Sequence, residues 1–164
     1  MIANKYTRPD KLAISGGSNG GLLVGAVSLQ RPELYGAVLC NIPLLDMVRY
    51  HMFKIARYWV PEYGSSEESD QFQFIHKYSP YHNVKQDVKY PATMFISGDS
   101  DTRVDPLHAR KMAALMQSLP GQTKPMLLHY DTEGGHSGGL PIEKAVTNLA
   151  DNFLFVESQL GIAH

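Results

Sequence analysis

The sequence predicts an α/β protein built on a mostly parallel sheet with helices on both faces. Short apolar runs of strand length alternate along the 164 residues with longer segments whose apolar residues recur at helical spacing. Three polar, glycine-containing loops, GGSNGG, GDSDTRVDP and EGGHSGG, directly follow three of the apolar runs. Functional groups of such sheets collect at the carboxyl ends of the strands, so these loops are the first candidates for a site.

Four apolar runs are predicted to be strands, because each is bounded by glycine, proline or polar residues. The first run precedes the GGSNGG loop, and the last precedes the EGGHSGG loop. We expect the strands at KLAIS (11–15), YGAVLCNI (35–42), PATMFISGD (91–99) and KPMLLHYDT (124–132).

Two helices are indicated by both spacing and end signals. One opens at Ser18, carries three leucines and Ala26 at helical spacing, and has Pro32 just past its end. The other covers 105–119, with Pro106 in its first turn, where proline is favoured. Together with the strands, these helices predict the strand, turn, helix order of a parallel sheet.

The remaining segments give weaker signals. Residues 44–59 carry apolar side chains at mixed helical spacing, which predicts a helix leading into a mobile polar loop at 61–70, and 76–91 is rich in turn residues. A closing amphipathic helix is expected over 140–160. Its predicted apolar face consists of Ala145, Leu149, Phe153 and Val156.

Composition and charge narrow the classes of function. With 43% hydrophobic and 19% charged residues, the chain has the composition of one globular domain over 1–164. A net charge of -1 without a basic stripe argues against nucleic acid or membrane partners and favours small molecules or peptides. The start MIANKYTRPDK has no apolar signal core, so we expect a cytoplasmic protein as written. Cys40 lies in an apolar run and is expected to be a buried structural thiol.

The GGSNGG loop matches the nucleophile-elbow pattern G-x-S-x-G at Gly16, Ser18 and Gly20. The match follows a predicted strand and opens a predicted helix, which is the context that gives the pattern meaning. Glycines are expected beside the serine because the bend is strained and crowded. The backbone N–H of Asn19 would then face an oxyanion. A glycine turn chosen for packing is the alternative, and a phosphate loop is disfavoured because no Gly-Lys-Ser/Thr follows.

A serine hydroxyl needs a base, and an orienting acid behind it. His136 follows the last predicted strand, on a loop whose glycines allow close approach. Three candidate acids, Asp99, Asp101 and Asp105, crowd the loop after the third strand, and spacing alone does not choose among them. The chain order serine, aspartate, histidine, each on a strand-end loop, is that of the α/β-hydrolases.

The third predicted strand and its loop also fit a second interpretation. MFISGDSDTR is similar to the D-x-D-x-T signature of aspartate-nucleophile phosphatases, with Asp99 as nucleophile and Asp101 as acid. Those enzymes need magnesium, and the sequence after this point is too short for their usual sheet. The rival also leaves GGSNGG and GGH unexplained, so the serine-based interpretation is favoured.

Four stretches together resemble the catalytic domain of the prolyl oligopeptidase family, serine peptidases that cut short peptides after proline. They are GGSNGG, IPLLDMVRYHMFKIARYWVPEYG, SGDSDTRVDPLHARKM and GGHSGG, in matching order and spacing over nearly the whole chain. The resemblance implies Ser18 as nucleophile, Asp101 as orienting acid and His136 as general base. It implies neither a cofactor nor a metal.

The resemblance also implies a substrate pocket. Trp59 would stack on the substrate proline with Tyr63 beside it, and Arg103 would hold a backbone carbonyl of the substrate. An indole stacks well on a pyrrolidine ring, and a guanidinium offers fixed donors to carbonyl oxygens. The apolar walls implied by the resemblance are Leu44, Ile55 and Val104.

The sequence departs from the family pattern by what it lacks. No β-propeller sequence, no early hydrolase strands and no upstream oxyanion tyrosine are present, so 1–164 is expected to be the C-terminal part of a peptidase catalytic domain with a partial α/β-hydrolase fold. The strand before Ser18 would then expose an edge. We expect the isolated chain to be unstable or to self-associate, unless a second chain supplies the missing strands.

Two classes of function therefore remain open. The first is a serine-type oligopeptidase that acts on short proline-containing peptides through an acyl-enzyme, with activity impaired by the missing parts. Within this class, the sequence is also compatible with an acylaminoacyl-peptidase, a dipeptidyl-peptidase or an esterase. The second is an inactive remnant or association module that keeps the triad residues without turnover.

Overall fold

A four-stranded parallel sheet forms the centre of the molecule. The computed structural model describes residues 1–136 and 140–162. The strands lie side by side in chain order, and each neighbouring pair is parallel. The strands are β1 (Ala13–Gly17), β2 (Ala37–Asn41), β3 (Ala92–Gly98) and β4 (Met126–Asp131).

In the described residues five α-helices accompany the sheet, and short 3-10 turns fill several connections. The helices are α1 (Asn19–Gln30), α2 (Val60–Tyr63), α3 (Ser69–Tyr78), α4 (Leu107–Gln117) and α5 (Ile142–Leu160). The 3-10 turns are Pro9–Lys11, Pro32–Leu34, Tyr50–Met52, Ala56–Trp59 and Pro80–Asn83.

Helices cover both faces of the sheet, as predicted. Side chains alternate along a strand, so successive residues of β2 enter two different clusters. Val38 and Cys40 pack with residues of α1 and α4, whereas Ala37 and Leu39 pack with the end of α5. Burial strongly raises the pKa of the Cys40 thiol, which therefore stays protonated. The predicted α/β class and parallel sheet are confirmed.

The prediction of a helix over 44–59 is wrong. The structure has only two 3-10 turns there, Tyr50–Met52 and Ala56–Trp59, and Lys54 adopts a left-handed φ of 48° between them. Backbone N–H groups at the start of the segment bond to side chains instead of to helical carbonyls. The Met47 N–H donates to Ser79 Oγ over 3.0 Å, which competes with helix formation.

The mobile loop predicted over 61–70 is also wrong in part. Short helix α2 occupies its beginning, and α3 starts at Ser69 and continues through Tyr78, into the segment expected to be turn-rich. Helix α3 is mostly polar in sequence and buries only Ile75.

The apolar face predicted for α5 packs on the sheet only at its C-terminal end. Ala145, Leu149 and Phe153 are exposed, whereas Val156 is partly buried and packs against the cluster that contains Phe155 and Leu160, the buried residues of the helix. Only the C-terminal part of α5 reaches the sheet, so the earlier turns have no described partner for their apolar stripe.

None of the helices in the described residues has both the length and the apolar character that a membrane crossing requires.

Candidate active site

Ser18 lies at the sharp turn between β1 and α1. Its φ of 57° and ψ of -118° are strained for a residue with a Cβ atom. The turn is held on both sides: the Ser18 N–H donates to the carbonyl of Asn41 over 3.0 Å, and the Leu22 N–H donates to the carbonyl of Ser18 over 3.1 Å. The Ser18 hydroxyl does not cap α1 and makes no hydrogen bond within the described part of the chain. It is therefore available for chemistry.

The glycines around Ser18 do not all serve the same purpose. A Cβ on Gly16 would lie 2.2 Å from the carbonyl oxygen of Gly20, and one on Gly21 would lie 2.7 Å from that of Asn41. A Cβ on Gly20 would meet nothing within 4 Å. The crowding expected on both sides of the serine is therefore found at Gly16 and Gly21, and the expectation is wrong for Gly20.

Asn19 is the first residue of α1, next to the nucleophile candidate. The first N–H groups of a helix have no intrahelical partner and carry the positive end of the helix dipole. The Tyr63 hydroxyl donates to Asn19 Oδ1 over 2.9 Å, which joins α2 to the start of α1. The backbone N–H of Asn19 thus belongs to a site that can receive negative charge.

Asp101 is fully buried and has a partner for each carboxylate oxygen. Its Oδ1 accepts the backbone N–H groups of Arg103 (2.8 Å) and Val104 (2.9 Å), and its Oδ2 lies 2.8 Å from Nδ1 of His136. Lys54 Nζ donates to the carbonyl oxygen of Asp101. These contacts hold the carboxylate rigidly behind the imidazole.

The other two candidate acids have different partners. Asp99 is exposed and accepts the hydroxyl of Tyr130 over 2.5 Å, and Asp105 accepts the backbone N–H of Leu107 over 2.9 Å. Of the three aspartates, only Asp101 has a hydrogen bond to a histidine in the described residues.

The loop that carries His136 is fixed by Asp131, the last residue of β4. Asp131 Oδ1 accepts the N–H groups of Glu133 (2.8 Å) and Gly134 (2.9 Å), and Lys144 Nζ of α5 lies 2.6 Å from the same oxygen. The hydrogen bond from Lys144 lowers the pKa of Asp131 to about 2. Ser137, Gly138 and Gly139, which complete the predicted GGHSGG loop, lie outside the described residues.

The loop that carries His136 is in close contact with the loop that carries Asp101. The Ser100 N–H donates to the carbonyl of Gly134 over 3.0 Å. A Cβ on Gly98 would lie 2.1 Å from that same carbonyl oxygen, so any larger residue would push the loops apart. Glycine at Gly98 is therefore a condition for the His136–Asp101 hydrogen bond.

A cavity of about 240 Å³ opens beside Ser18. Within it the guanidinium of Arg103 lies 5.7 Å from the ring centre of Trp59, so a cation and an aromatic face form adjoining walls. The lining residues are Ser18, Asn19, Leu44, Trp59, Glu62, Tyr63 and Arg103.

The predicted pocket residues fall into two groups. Trp59, Tyr63, Arg103 and Leu44 line the cavity. Val104 does not line it; its buried side chain belongs to the apolar cluster against which Trp59 and Tyr63 pack. Ile55 is 40% exposed and is not among the lining residues.

Glu62 lines the cavity but was missed by sequence reasoning. It lies in α2, three residues after Trp59 and next to Tyr63. That spacing puts Trp59 and Glu62 one helical turn apart, which was the signal available in the sequence.

A buried ion-pair network anchors the segment that carries Leu44 and Trp59. Asp46 is 1% exposed; Arg49 Nη2 lies 2.7 Å from its Oδ2, and Lys111 Nζ of α4 donates to the same oxygen. Burial acts to raise the pKa of Asp46, but the hydrogen bonds from Lys111 and Arg49 outweigh burial and lower it. The segment is therefore tied to the helix that follows the Asp101 loop.

His108 of α4 adds a second tie to the same segment. Its Nδ1 accepts the backbone N–H of Leu45 (3.3 Å) and of Asp46 (3.1 Å). Burial lowers the pKa of His108 to about 4, so the ring is neutral and can accept these bonds.

The described residues were searched for side chains that could bind a metal ion together. Across 1–136 and 140–162, no group of three or more His, Cys, Asp and Glu side chains is arranged to hold a metal ion.

Known proteins resemble this chain over nearly its whole length. Residues 1–163 match the model of the prolyl oligopeptidase family. The prolyl endopeptidase of Dictyostelium discoideum is 40% identical over 99% of the chain. A solved structure from a study of two prolyl endopeptidases is 51% identical with a TM-score of 0.96, covering 99% of this chain and 24% of that one. A post-proline cleaving enzyme from Rickettsia typhi is 35% identical with a TM-score of 0.93, covering 98% of this chain and 23% of that one.

The match is complete for this chain and partial for its relatives. The chain spans 22% of the length of the Dictyostelium prolyl endopeptidase, so it corresponds to part of a domain in a much longer protein. The matched residues 1–163 include Ser18, Asp101 and His136, which form the strained turn and the hydrogen bond described above. The chain belongs to the prolyl oligopeptidase family.

Proposed function

We propose that this chain carries the catalytic residues of a serine peptidase that cleaves short peptides after proline. In this proposal Ser18 is the nucleophile, His136 the general base and Asp101 the group that orients the base. The observation that carries the proposal is the 2.8 Å hydrogen bond between His136 and a fully buried Asp101, at the same edge of the sheet as the strained Ser18 turn.

The reaction follows from the chemistry of these groups. Nε2 of His136 takes the proton of the Ser18 hydroxyl as Oγ attacks the carbonyl carbon of the scissile bond. The carbonyl oxygen becomes an oxyanion, and the backbone N–H of Asn19 donates to it. His136 then gives its proton to the leaving amine, the C–N bond breaks, and an acyl-enzyme ester remains. Water attacks that ester in the second half-reaction, again with His136 as base.

The orienting role of Asp101 rests on which atom it holds. Its bond to Nδ1 favours the tautomer that leaves Nε2 free to accept a proton, and its charge stabilises the imidazolium that forms. The Ser18–His136 hydrogen bond is expected to form when substrate fills the site, because catalytic hydrogen bonds tighten in the substrate complex.

The cavity supports proline as the residue before the cleaved bond. The Trp59 ring offers a flat apolar face for a pyrrolidine ring, and Arg103 beside it offers donors for a carbonyl of the peptide. Val104 packs behind this wall, and Ile55 is proposed to contact the substrate from outside the cavity. The name of the Rickettsia relative, a post-proline cleaving enzyme, agrees with this chemistry.

A fluorophosphonate probe, which reacts only with an activated serine, tests the nucleophile. We expect the wild-type chain to be labelled and Ser18→Ala to be silent, with Ser15→Ala as a matched control that keeps labelling. Hydrolysis of a Gly-Pro amide reporter against a short ester then separates a post-proline peptidase from an esterase. A folded chain without labelling would contradict the proposal.

The exposed apolar stripe on α5, which contains Ala145, Leu149 and Phe153, favours a second candidate function. An apolar helix face without a described partner is typical of an association surface. In this alternative the chain is an association module without turnover, and it predicts self-association or binding to a second chain with no labelling of Ser18.

A further inference from the structure

We infer that Glu62 forms a cation-recognition subsite of the cavity, which selects peptides that carry an ammonium or guanidinium group next to the proline. The inference rests on the proposed function for the proline itself. It adds a charge preference that a proline pocket does not require.

Two side chains of opposite charge, Glu62 and Arg103, line the cavity. Arg103 lies over the Trp59 ring, and Glu62 follows Trp59 by one turn of helix. No ion pair joins Glu62 to Arg103 or to any other cation among the residues that the structure describes. The carboxylate is therefore not neutralised by the protein.

The charge of Glu62 affects the pKa of Tyr63, another residue that lines the cavity. Burial raises the pKa of Tyr63, the Glu62 carboxylate adds to that rise, and the Arg103 guanidinium opposes it. The Tyr63 hydroxyl in turn donates to Asn19 next to the nucleophile. A ligand in the cavity is thus exposed to the field of both charged groups.

The size and polarity of the cavity limit what can bind. At about 240 Å³ it is smaller than the usual ligand pocket, so it suits a proline and part of one neighbouring residue. Arg103 satisfies a carbonyl oxygen, and an uncompensated carboxylate is the complement of a positive charge. The cation can be the side chain of Lys or Arg or the free α-amino group of a dipeptide.

Fluorescence of Trp59 gives a direct binding measurement, because Trp59 is the only tryptophan of the chain and lines the cavity. The ligands are acetyl-Lys-Pro-amide with acetyl-Gln-Pro-amide, and Gly-Pro-amide with acetyl-Gly-Pro-amide. In wild type we expect the cationic member to bind about fivefold more tightly at low salt, as for an exposed ion pair. Preference within the first pair assigns a side-chain cation, and preference within the second assigns an α-amino group.

Two variants and one solvent condition complete the experiment. Glu62→Gln is expected to bind charged and neutral ligands equally, whereas Glu68→Gln removes the same charge outside the cavity and keeps the preference. Raising salt to about 0.5 M should shrink the wild-type preference, since ions screen exposed charges. The measurement at raised salt uses only the wild-type chain, so it does not depend on the folding of a variant.

Several outcomes would overturn the inference. They are equal binding of charged and neutral peptides by wild type, a preference that survives in Glu62→Gln, and no binding of any peptide. Failure of the peptidase proposal gives a different pattern: charge-selective binding without hydrolysis or probe labelling. Labelling and hydrolysis without charge selectivity would remove only the role of Glu62.

Discussion

Nδ1 of His136 lies 2.8 Å from Oδ2 of Asp101, and the Asp101 carboxylate has no exposed surface. A buried carboxylate that loses its hydrogen-bond partners is costly, so the pair fixes the imidazole in one orientation. The loops that supply the two residues are themselves joined through Gly134 and Ser100.

Replacing Asp101 with Asn should reduce kcat/KM for a Gly-Pro reporter by about 10⁴-fold, because the amide favours the wrong tautomer of His136. Asp99→Asn is the matched control; its side chain contacts Tyr130, and we expect it to keep activity within about twofold. Circular dichroism would verify that both variants are folded. Equal losses in the two variants would contradict the assignment of Asp101.

Alanine at two glycines of the serine turn should have opposite effects on stability. Gly16→Ala puts a Cβ 2.2 Å from a backbone oxygen and should lower the free energy of unfolding by about 3 kcal/mol. Gly20→Ala, in helix α1, puts a Cβ where no packing neighbour lies within 4 Å and should raise the free energy of unfolding by about 0.5–1 kcal/mol. Denaturant unfolding measures both. Similar destabilisation in the two variants would show that crowding is not the cause.

Stability should fall as pH drops from about 6.5 towards 4. The pKa of His108 is about 4 in the folded chain, against about 6.5 unfolded, so between these values only the unfolded chain takes up this proton. The shift corresponds to about 3 kcal/mol, fully present above pH 6.5 and lost as pH approaches the folded pKa. Urea unfolding at a series of pH values measures the slope.

His108→Gln is the control for that slope. The glutamine oxygen can accept the N–H groups of Leu45 and Asp46 but does not titrate, so the pH dependence in this range should weaken. Asp46, Asp105 and Lys111 act on the ring electrostatically and remain in the variant. An unchanged slope would assign the effect to another group.

The exposed stripe on α5 should drive self-association of the isolated chain. Leu149 is 54% exposed and Phe153 is 58% exposed, and a continuous apolar stripe in water favours burial against another surface. We expect light scattering with size-exclusion chromatography to detect oligomers in wild type and fewer in Leu149→Glu/Phe153→Glu. Tyr6→Glu, a lone exposed aromatic elsewhere, should leave the oligomers unchanged. A monomeric wild-type chain would contradict the prediction.

The strands and the loops of the triad candidates could be predicted from sequence because their signals are local. An apolar run bounded by glycine, proline or polar residues defines each strand, and the parallel sheet places the loops of Ser18, Asp101 and His136 at the carboxyl ends of the strands. The region from 44 to 78 could not be predicted. Its backbone N–H groups bond to His108 and Ser79, which are distant along the chain, and no local pattern reveals such partners.

The role of Glu62 and the exposure of α5 escaped prediction for related reasons. A carboxylate in a polar turn looks like any solvated residue until Trp59 and Arg103 are found around it. Helical periodicity indicates that α5 has an apolar stripe, but it does not say whether the stripe has a partner.

The side-by-side arrangement of the strands in chain order has a consequence for biosynthesis. Each strand and helix can join the edge left by the previous one, so the Ser18 turn can form when only β1, α1 and β2 exist. Asp101 follows β3, and its partner His136 arrives only after β4 has been added. In a nascent chain the serine turn can therefore form before His136, the proposed base, has been placed beside Asp101.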